Sequence, residues 1–263
     1  MKPILVIGHK NPDTDSICSA ICYAHLKRML TGKDYIPCRA GQVNAETKYV
    51  LDCFDIEPPR YLSSLNPRLS DVQYRDVAGI GAQMSLRRAW EYMSEKDIQT
   101  ISVVDENNYI QGILTFSDIA RFYMEDQGAD ALAEAKTSYR NLVDVLNGEL
   151  VIGDPEQQLE RGKVVVAAAN PDVMEEYLHE HDIVILGNRY ESQLCAIEMK
   201  AGCIIIGLGS KVSRTIKKLA AEAHCAIIAT PMDTYSCSKV INQAVPVQHV
   251  MRRSGLITFR PSE

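Results

Sequence analysis

No apolar stretch in the 263-residue sequence approaches the roughly 20 residues that a membrane-spanning helix needs. The run Ile4-Leu5-Val6-Ile7 near the start is too short for the apolar core of a secretion signal, since it ends at Gly8-His9-Lys10. The expected compartment is therefore the cytoplasm. Cys-x-x-Cys pairs are missing among the 8 cysteines, and no histidine stands at zinc-finger spacing. The thiols read as buried or incidental in a reducing compartment, with neither a disulfide framework nor a structural zinc site. Excess positive charge is missing as well. Lys and Arg number 28 against 34 Asp and Glu, a net charge of −6. That balance argues against a sequence-independent grip on nucleic acid or on an anionic membrane, while leaving local phosphate sites open. No segment recurs at the repeat lengths of solenoids and propellers.

What is present suffices for a core: 46% of the residues are hydrophobic and 24% charged, which excludes global disorder. At about 150 residues per domain, the length predicts roughly two domains. Three blocks emerge along the chain. In the first, Ile4 to Ile7 reads as a buried parallel strand, followed by the polar turn His9 to Asp15. A helix is predicted over about 16–31, with Ile17, Ala20, Ile21 and Ala24 on one face and Cys18, Cys22 and Met29 on another, so broad cover is expected. Gly32 supplies its left-handed stop. A second unit runs from Tyr35-Ile36-Pro37 through a helix over 45–54 to the break at Pro58-Pro59.

The second block, about 70–125, reads strand-helix-strand-strand-helix. Ser85 can cap a helix whose Leu86, Ala89, Trp90 and Met93 fall at core spacing, and strands are expected at 100–104 and 109–115 before a helix over 118–124. The third block, about 137–245, alternates strands (163–168, 183–186, 203–208, 226–230) with helices (171–179, 191–200, 212–224, 234–243). Such alternation predicts an α/β fold with a mostly parallel sheet. Near the end, Leu256 to Phe259 starts like a strand and Val247 to Phe259 could open a second copy of the middle block, so the chain reads as cut off.

The turn after the first strand carries the chemistry. His9, Asp13 and Asp15 cluster between a strand's carboxyl end and a helix start, where α/β sheets bind ligands. An imidazole and two carboxylates suit Mn²⁺, Co²⁺, Zn²⁺ or Fe²⁺ better than Ca²⁺, and the free amides of the helix favour phosphate. The same residues also make a plain helix cap, so the residues alone leave the two readings even. Gly207-Leu208-Gly209-Ser210 lacks the third glycine of a dinucleotide fingerprint and reads as a strand-to-helix turn. His179 and His181 read as charge at a helix end, and Arg252-Arg253 as a solvated pair.

The string Gly8-His9-Lys10-Asn11-Pro12-Asp13-Thr14-Asp15-Ser16 resembles the first metal motif of the DHH phosphoesterase superfamily, and most closely that of family II, manganese-dependent inorganic pyrophosphatases. The middle block resembles a CBS domain through Ile101-Ser102-Val103-Val104-Asp105 and Gly112-Ile113-Leu114-Thr115-Phe116-Ser117-Asp118-Ile119. The third resembles a DRTGG domain through Ile183 to Arg189 and Thr230 to Tyr235. Domains are accordingly expected at 1–65 (start of a DHH domain), 66–127 (CBS), 128–246 (DRTGG) and 247–263 (start of a second CBS).

The resemblance implies that His9 and Asp13 ligate one metal and Asp15 a second, with Mn²⁺, or Co²⁺ or Mg²⁺, as cofactor. It implies pyrophosphate as substrate and AMP, ADP or a related adenine nucleotide as regulator. Thr115, Asp118 and Lys96 are the expected nucleotide contacts, although Thr115 and Asp118 also read as a simple helix cap and Lys96 as a solvated lysine. A homodimer joined through CBS and DRTGG contacts is implied too. No Asp-His-His triplet occurs in the sequence, and neither do the basic clamp residues of the family's C-terminal domain. The 263-residue chain by itself is therefore expected to be inactive. The alternatives are a non-catalytic adenine-nucleotide-binding regulatory module, and a DHH-type phosphoesterase acting on short oligonucleotides, which leaves the CBS and DRTGG blocks unexplained.

Overall fold

The computed structural model describes residues 3–64 and 76–253, which fall into two units, one within residues 1–75 and one within 76–259. The expected strand at 256–259 lies outside the described residues. In the first unit, β1 (Ile4–Ile7), β2 (Tyr35–Arg39) and β3 (Arg60–Tyr61) form a parallel sheet in that order. Two helices, α1 (Thr14–Thr31) and α2 (Ala45–Cys53), connect them. Local chemistry sets the helix ends. The Asp13 carboxylate accepts from the Ser16 amide at 2.9 Å to start α1, and Gly32 stops it at φ 65°. Asn44 caps α2 by accepting from the Thr47 amide at 2.7 Å. Broad cover of α1 is not found. The helix buries Ser16, Ile17, Ala20 and Ala24, while Cys22 is exposed and Met29 is 73% exposed. Three short strands and one further helix can shield only a single stripe of it.

The second unit begins with β4 (Ile80–Gly81), α3 (Leu86–Glu95), β5 (Thr100–Val104), β6 (Ile110–Thr115) and α4 (Phe116–Met124). β4 pairs parallel with β5 and β5 antiparallel with β6. Ser85 caps α3 as its sequence suggests, accepting from the Arg88 amide. Trp90 corrects its expected core placement. Leu86, Ala89 and Met93 fill the inner stripe, whereas Trp90 is 47% exposed at the stripe's edge, its ring 4.7 Å from that of Phe116.

Next come α5 (Ala131–Glu134), α6 (Tyr139–Val145), β7 (Glu149–Ile152), β8 (Val164–Val166), α7 (Pro171–Tyr177), β9 (Ile183–Leu186), α8 (Tyr190–Glu198), β10 (Cys203–Ile206), α9 (Arg214–Glu222), β11 (Ala226–Ala229) and α10 (Thr234–Val240). The sheet runs β7-β11-β10-β9-β8. Its strands are parallel except β7, an antiparallel edge that the sequence reading missed together with α6. β9 and β10 are buried throughout, as continuous apolar runs between two helical layers must be. Their residues alternate between two cores. Val184, Leu186, Ile204 and Ile206 meet α7 to α9, while Ile183, Ile185, Cys203 and Ile205 join a core that continues through α6 into Leu86, Met93 and Leu114. The blocks drawn at 66–127 and 128–246 thus share one hydrophobic core. All eight cysteines are free, and burial pushes the Cys225 thiol up to about 12, which leaves it unreactive.

Candidate metal loop and helix cap

The loop after β1 sits at the carboxyl end of the strand, as its sequence position requires. Nε2 of His9 lies 3.3 Å from Oδ1 of Asp13, both side chains being largely exposed. The Ser16 amide and then His9 hold the Asp13 carboxyl below the usual carboxylate range. Two donors on one cation, each about 2.1 Å from it, stand about 3.0–3.4 Å apart. The His9–Asp13 pair therefore fits one edge of a coordination shell. Asp15 is not part of that pair: its Oδ1 accepts from the Ser19 hydroxyl at 3.3 Å, one turn along α1. Among the described residues no three His, Cys, Asp or Glu side chains converge on a metal position. The chain's own donors supply an edge rather than a closed site.

Two glycines, not singled out in the sequence, shape this loop. A Cβ on Gly8 would stand 1.9 Å from Oγ of Ser16, a buried hydroxyl without a hydrogen-bond partner. A Cβ on Gly41 would meet Cδ of Pro12 at 2.5 Å and the Lys10 carbonyl at 2.7 Å. The segment after β2 thus backs the His9–Asp13 turn at a distance only glycine permits. The sequence marks the polar turn after β1 but carries no signal for the distant glycine that backs it.

In the second unit, Thr115 and Asp118 form a capping box at the start of α4. The Asp118 amide donates to Oγ1 of Thr115 at 3.2 Å. Oδ2 of Asp118 accepts from the Thr115 amide at 3.1 Å and from its hydroxyl at 2.6 Å. The other oxygen, Oδ1, accepts from Arg252 Nε at 2.8 Å and pairs with its Nη2 at 2.7 Å, with Arg121 Nη1 at 3.7 Å. Asp118 is 3% exposed. Burial pushes its carboxyl up, but the Thr115 hydrogen bonds and Arg252 outweigh that and hold it below the usual range. The backbone explains how Arg252 arrives: its amide and carbonyl bond those of Ile113 on the edge of β6 at 2.9 and 3.0 Å. Sequence reading passed over Arg252 as a solvated pair with Arg253, because its partner lies 134 residues away.

Lys96 ends α3 in the open, its Nζ 5.9 Å from the Tyr92 ring centre. The pairing of Thr100 with Thr115, and the bond from the Phe116 amide to the Gln99 carbonyl, put its loop at the same end of the sheet as the capping box.

The CBS domain family matches residues 69–125 and the DRTGG domain family residues 141–244. The cobalt-dependent inorganic pyrophosphatase of Clostridium perfringens is 37% identical over 258 residues, covering 98% of this chain and 47% of its own length. A probable manganese-dependent inorganic pyrophosphatase of Thermotoga maritima is 32% identical over 254 residues, 96% of this chain and 46% of that protein. The chain spans about half the length of these curated relatives. Among solved structures, the CBS and DRTGG domains of the regulatory region of Clostridium perfringens pyrophosphatase, complexed with the activator diadenosine tetraphosphate, superpose with a TM-score of 0.69. That match has 34% identity, over 73% of this chain and 84% of that one. On these matches, the chain belongs to the family of metal-dependent inorganic pyrophosphatases that carry CBS and DRTGG domains.

Proposed function

We propose that this chain carries the first metal loop and the nucleotide-responsive unit of an enzyme that hydrolyses inorganic pyrophosphate to two phosphates. The observation that carries the reading is the near end-to-end similarity to a cobalt-dependent pyrophosphatase, which takes in the His9–Asp13 loop and the CBS and DRTGG blocks together. His9 and Asp13 would hold one divalent cation, manganese, cobalt or magnesium, and Asp15 would face a second. Such cations, when bound, neutralise pyrophosphate oxygens and acidify a water. The chain's own contribution is positional. Asp13 is fixed by the Ser16 amide, the imidazole is fixed by Asp13, and the first amides of α1 lie at the same end of β1.

In the second unit, an adenine nucleotide such as AMP, ADP or diadenosine tetraphosphate would be held at the start of α4 by Thr115 and Asp118, with Lys96 approaching the phosphates. Its control of hydrolysis requires different affinities for two states of the enzyme. We place the protein in the cytoplasm as a homodimer. The α3–α4 groove of about 490 Å³, where Trp90 and Tyr123 stand half-exposed, supports such pairing. No described helix is long and apolar enough to cross a membrane.

A second reading, a regulatory module without hydrolysis, is favoured by the incomplete donor set of the described residues. One experiment tests both. The purified chain is assayed for Mn²⁺-dependent phosphate release from pyrophosphate and, by equilibrium dialysis, for AMP and diadenosine tetraphosphate binding. Nucleotide binding without phosphate release is the expected result. Release by the pure chain would overturn the partial-site reading, and absence of nucleotide binding would overturn the regulatory one.

A further inference from the structure

The Asp118 carboxylate, the group most suited to accept from ribose hydroxyls, is already engaged through both oxygens. Oδ2 serves the Thr115 amide and hydroxyl, while Oδ1 accepts from Nε of Arg252 and pairs with its Nη2 at 2.7 Å. With the guanidinium seated on Oδ1 through both Nε and Nη2, a ligand hydroxyl can reach that oxygen only by displacing it. The Thr115 donors belong to the cap of α4 and are local. The Arg252 donors are the displaceable ones: the guanidinium is 51% exposed while the carboxylate beneath it is 2% exposed. Arg121, also half-exposed, stands 3.7 Å away on the same oxygen.

We propose that Arg252 is a displaceable cover on the nucleotide site: a ribose diol replaces its guanidinium on Oδ1 of Asp118, and the freed guanidinium, with Arg121, moves to the ligand's phosphates. This rests on the reading of Asp118 as a ribose contact. The exchange keeps the carboxylate hydrogen-bonded, because ribose O–H donors stand in for the guanidinium. It does not conserve charge. Neutral hydroxyls replace a cation on a buried anion, and charge-assisted bonds are roughly twice as strong as neutral ones. Adenosine alone therefore binds at a loss, whereas a phosphorylated ligand returns an anion to Arg252. A guanidinium matches phosphate in a bidentate geometry that a lysine ammonium cannot copy. The site thereby becomes selective for phosphate-bearing adenine ligands through a residue some 130 positions from the motif that defines it.

The test compares binding of adenosine, AMP and diadenosine tetraphosphate to the full chain and to its Arg252→Gln, Arg252→Lys and Asp118→Asn variants by isothermal titration calorimetry. In the unsubstituted chain the affinity should rise from adenosine to AMP to diadenosine tetraphosphate. Arg252→Gln should tighten adenosine and weaken the two phosphorylated ligands, compressing the AMP-to-adenosine preference by about tenfold. Arg252→Lys should restore part of that preference. A merely structural clamp would lower the melting temperature and shift all three ligands together. An unchanged preference in Arg252→Gln, with Asp118→Asn still weakening every ligand, overturns the cover and leaves the ribose contact standing. If Asp118→Asn changes no affinity, or no ligand binds the unsubstituted chain, the ribose contact itself fails and the cover with it.

Discussion

The two units use the same vocabulary of capped helices on parallel strands and reach opposite degrees of closure. In residues 76–253 the central strands lie between two helical layers, and β9 and β10 are buried along their whole length. In residues 3–64 the 18-residue α1 leaves Leu26, Met29 and Leu30 more than half exposed, and Ile4 and Leu5 of β1 are 40% and 42% exposed. The difference is one of layers rather than residue types, since α1 is as apolar as the helices that are covered. A sheet with helices on both faces returns the burial free energy of every strand residue, roughly 1.5–3 kcal/mol for a full Leu or Ile side chain. A sheet with one partial layer returns it on one stripe. The better closed unit also holds its candidate site more tightly, with a buried Asp118 bonded through both oxygens against an exposed His9–Asp13 pair.

Core truncation gives the widest separation. Ile204→Ala in β10, at a fully buried position, should cost about 2–5 kcal/mol. Leu26→Ala on α1, 51% exposed, should stay within about 0.5 kcal/mol. The single tryptophan, Trp90, reports the first by fluorescence in a urea titration, and far-ultraviolet circular dichroism reports the second. Comparable losses would erase the contrast between the units. Capping is next. Thr115→Ala should lower the Trp90 unfolding free energy by about 1–2 kcal/mol, since it removes the hydroxyl that accepts from the Asp118 amide and donates to its carboxylate, leaving only the backbone arm of the capping box.

Gly41→Ala sharpens the comparison from the other side. Its Cβ must push the Lys10–Pro12 turn, so Mn²⁺ binding to the chain, followed by electron paramagnetic resonance, should weaken by roughly tenfold while the Trp90 transition stays in place. The smallest effect is the pH dependence of the second unit. A carboxyl held below its usual range in the folded state binds fewer protons there than in the unfolded chain. Its stabilisation is therefore present above the ordinary aspartate range and is lost as pH falls through the lowered value. Lowering the pH from about 6 to about 3 should bring down the Trp90 midpoint, and Asp118→Asn should flatten that part of the slope.

Much of the fold was legible in the sequence because its signals are local. Apolar runs marked β1, β5, β9, β10 and β11, and Asp13, Ser85 and Thr115 marked helix starts. Gly32 marked a helix end. The antiparallel edge β7 was not legible, because Glu149 to Ile152 is short and its pairing partner β11 lies about 75 residues further along. Trp90 was placed wrongly because helical spacing names a stripe, and only the neighbours decide where its edge falls. In the candidate metal loop the residue types and their order were readable, but the pairing of His9 with Asp13 and the turning of Asp15 toward Ser19 depend on side-chain geometry that spacing leaves open.

By itself, the sequence determined most of the elements, several of their caps, the α/β class and the residue types of the candidate metal loop, since each rests on residues within a few positions of one another. The tertiary structure alone decided three further matters: that the CBS and DRTGG blocks share one core, that Gly41 backs the loop after β1, and that Arg252 covers Asp118. Each of these joins residues far apart in the chain, where the energy of contact exists only after the intervening segments have folded and brought the partners within a few ångströms.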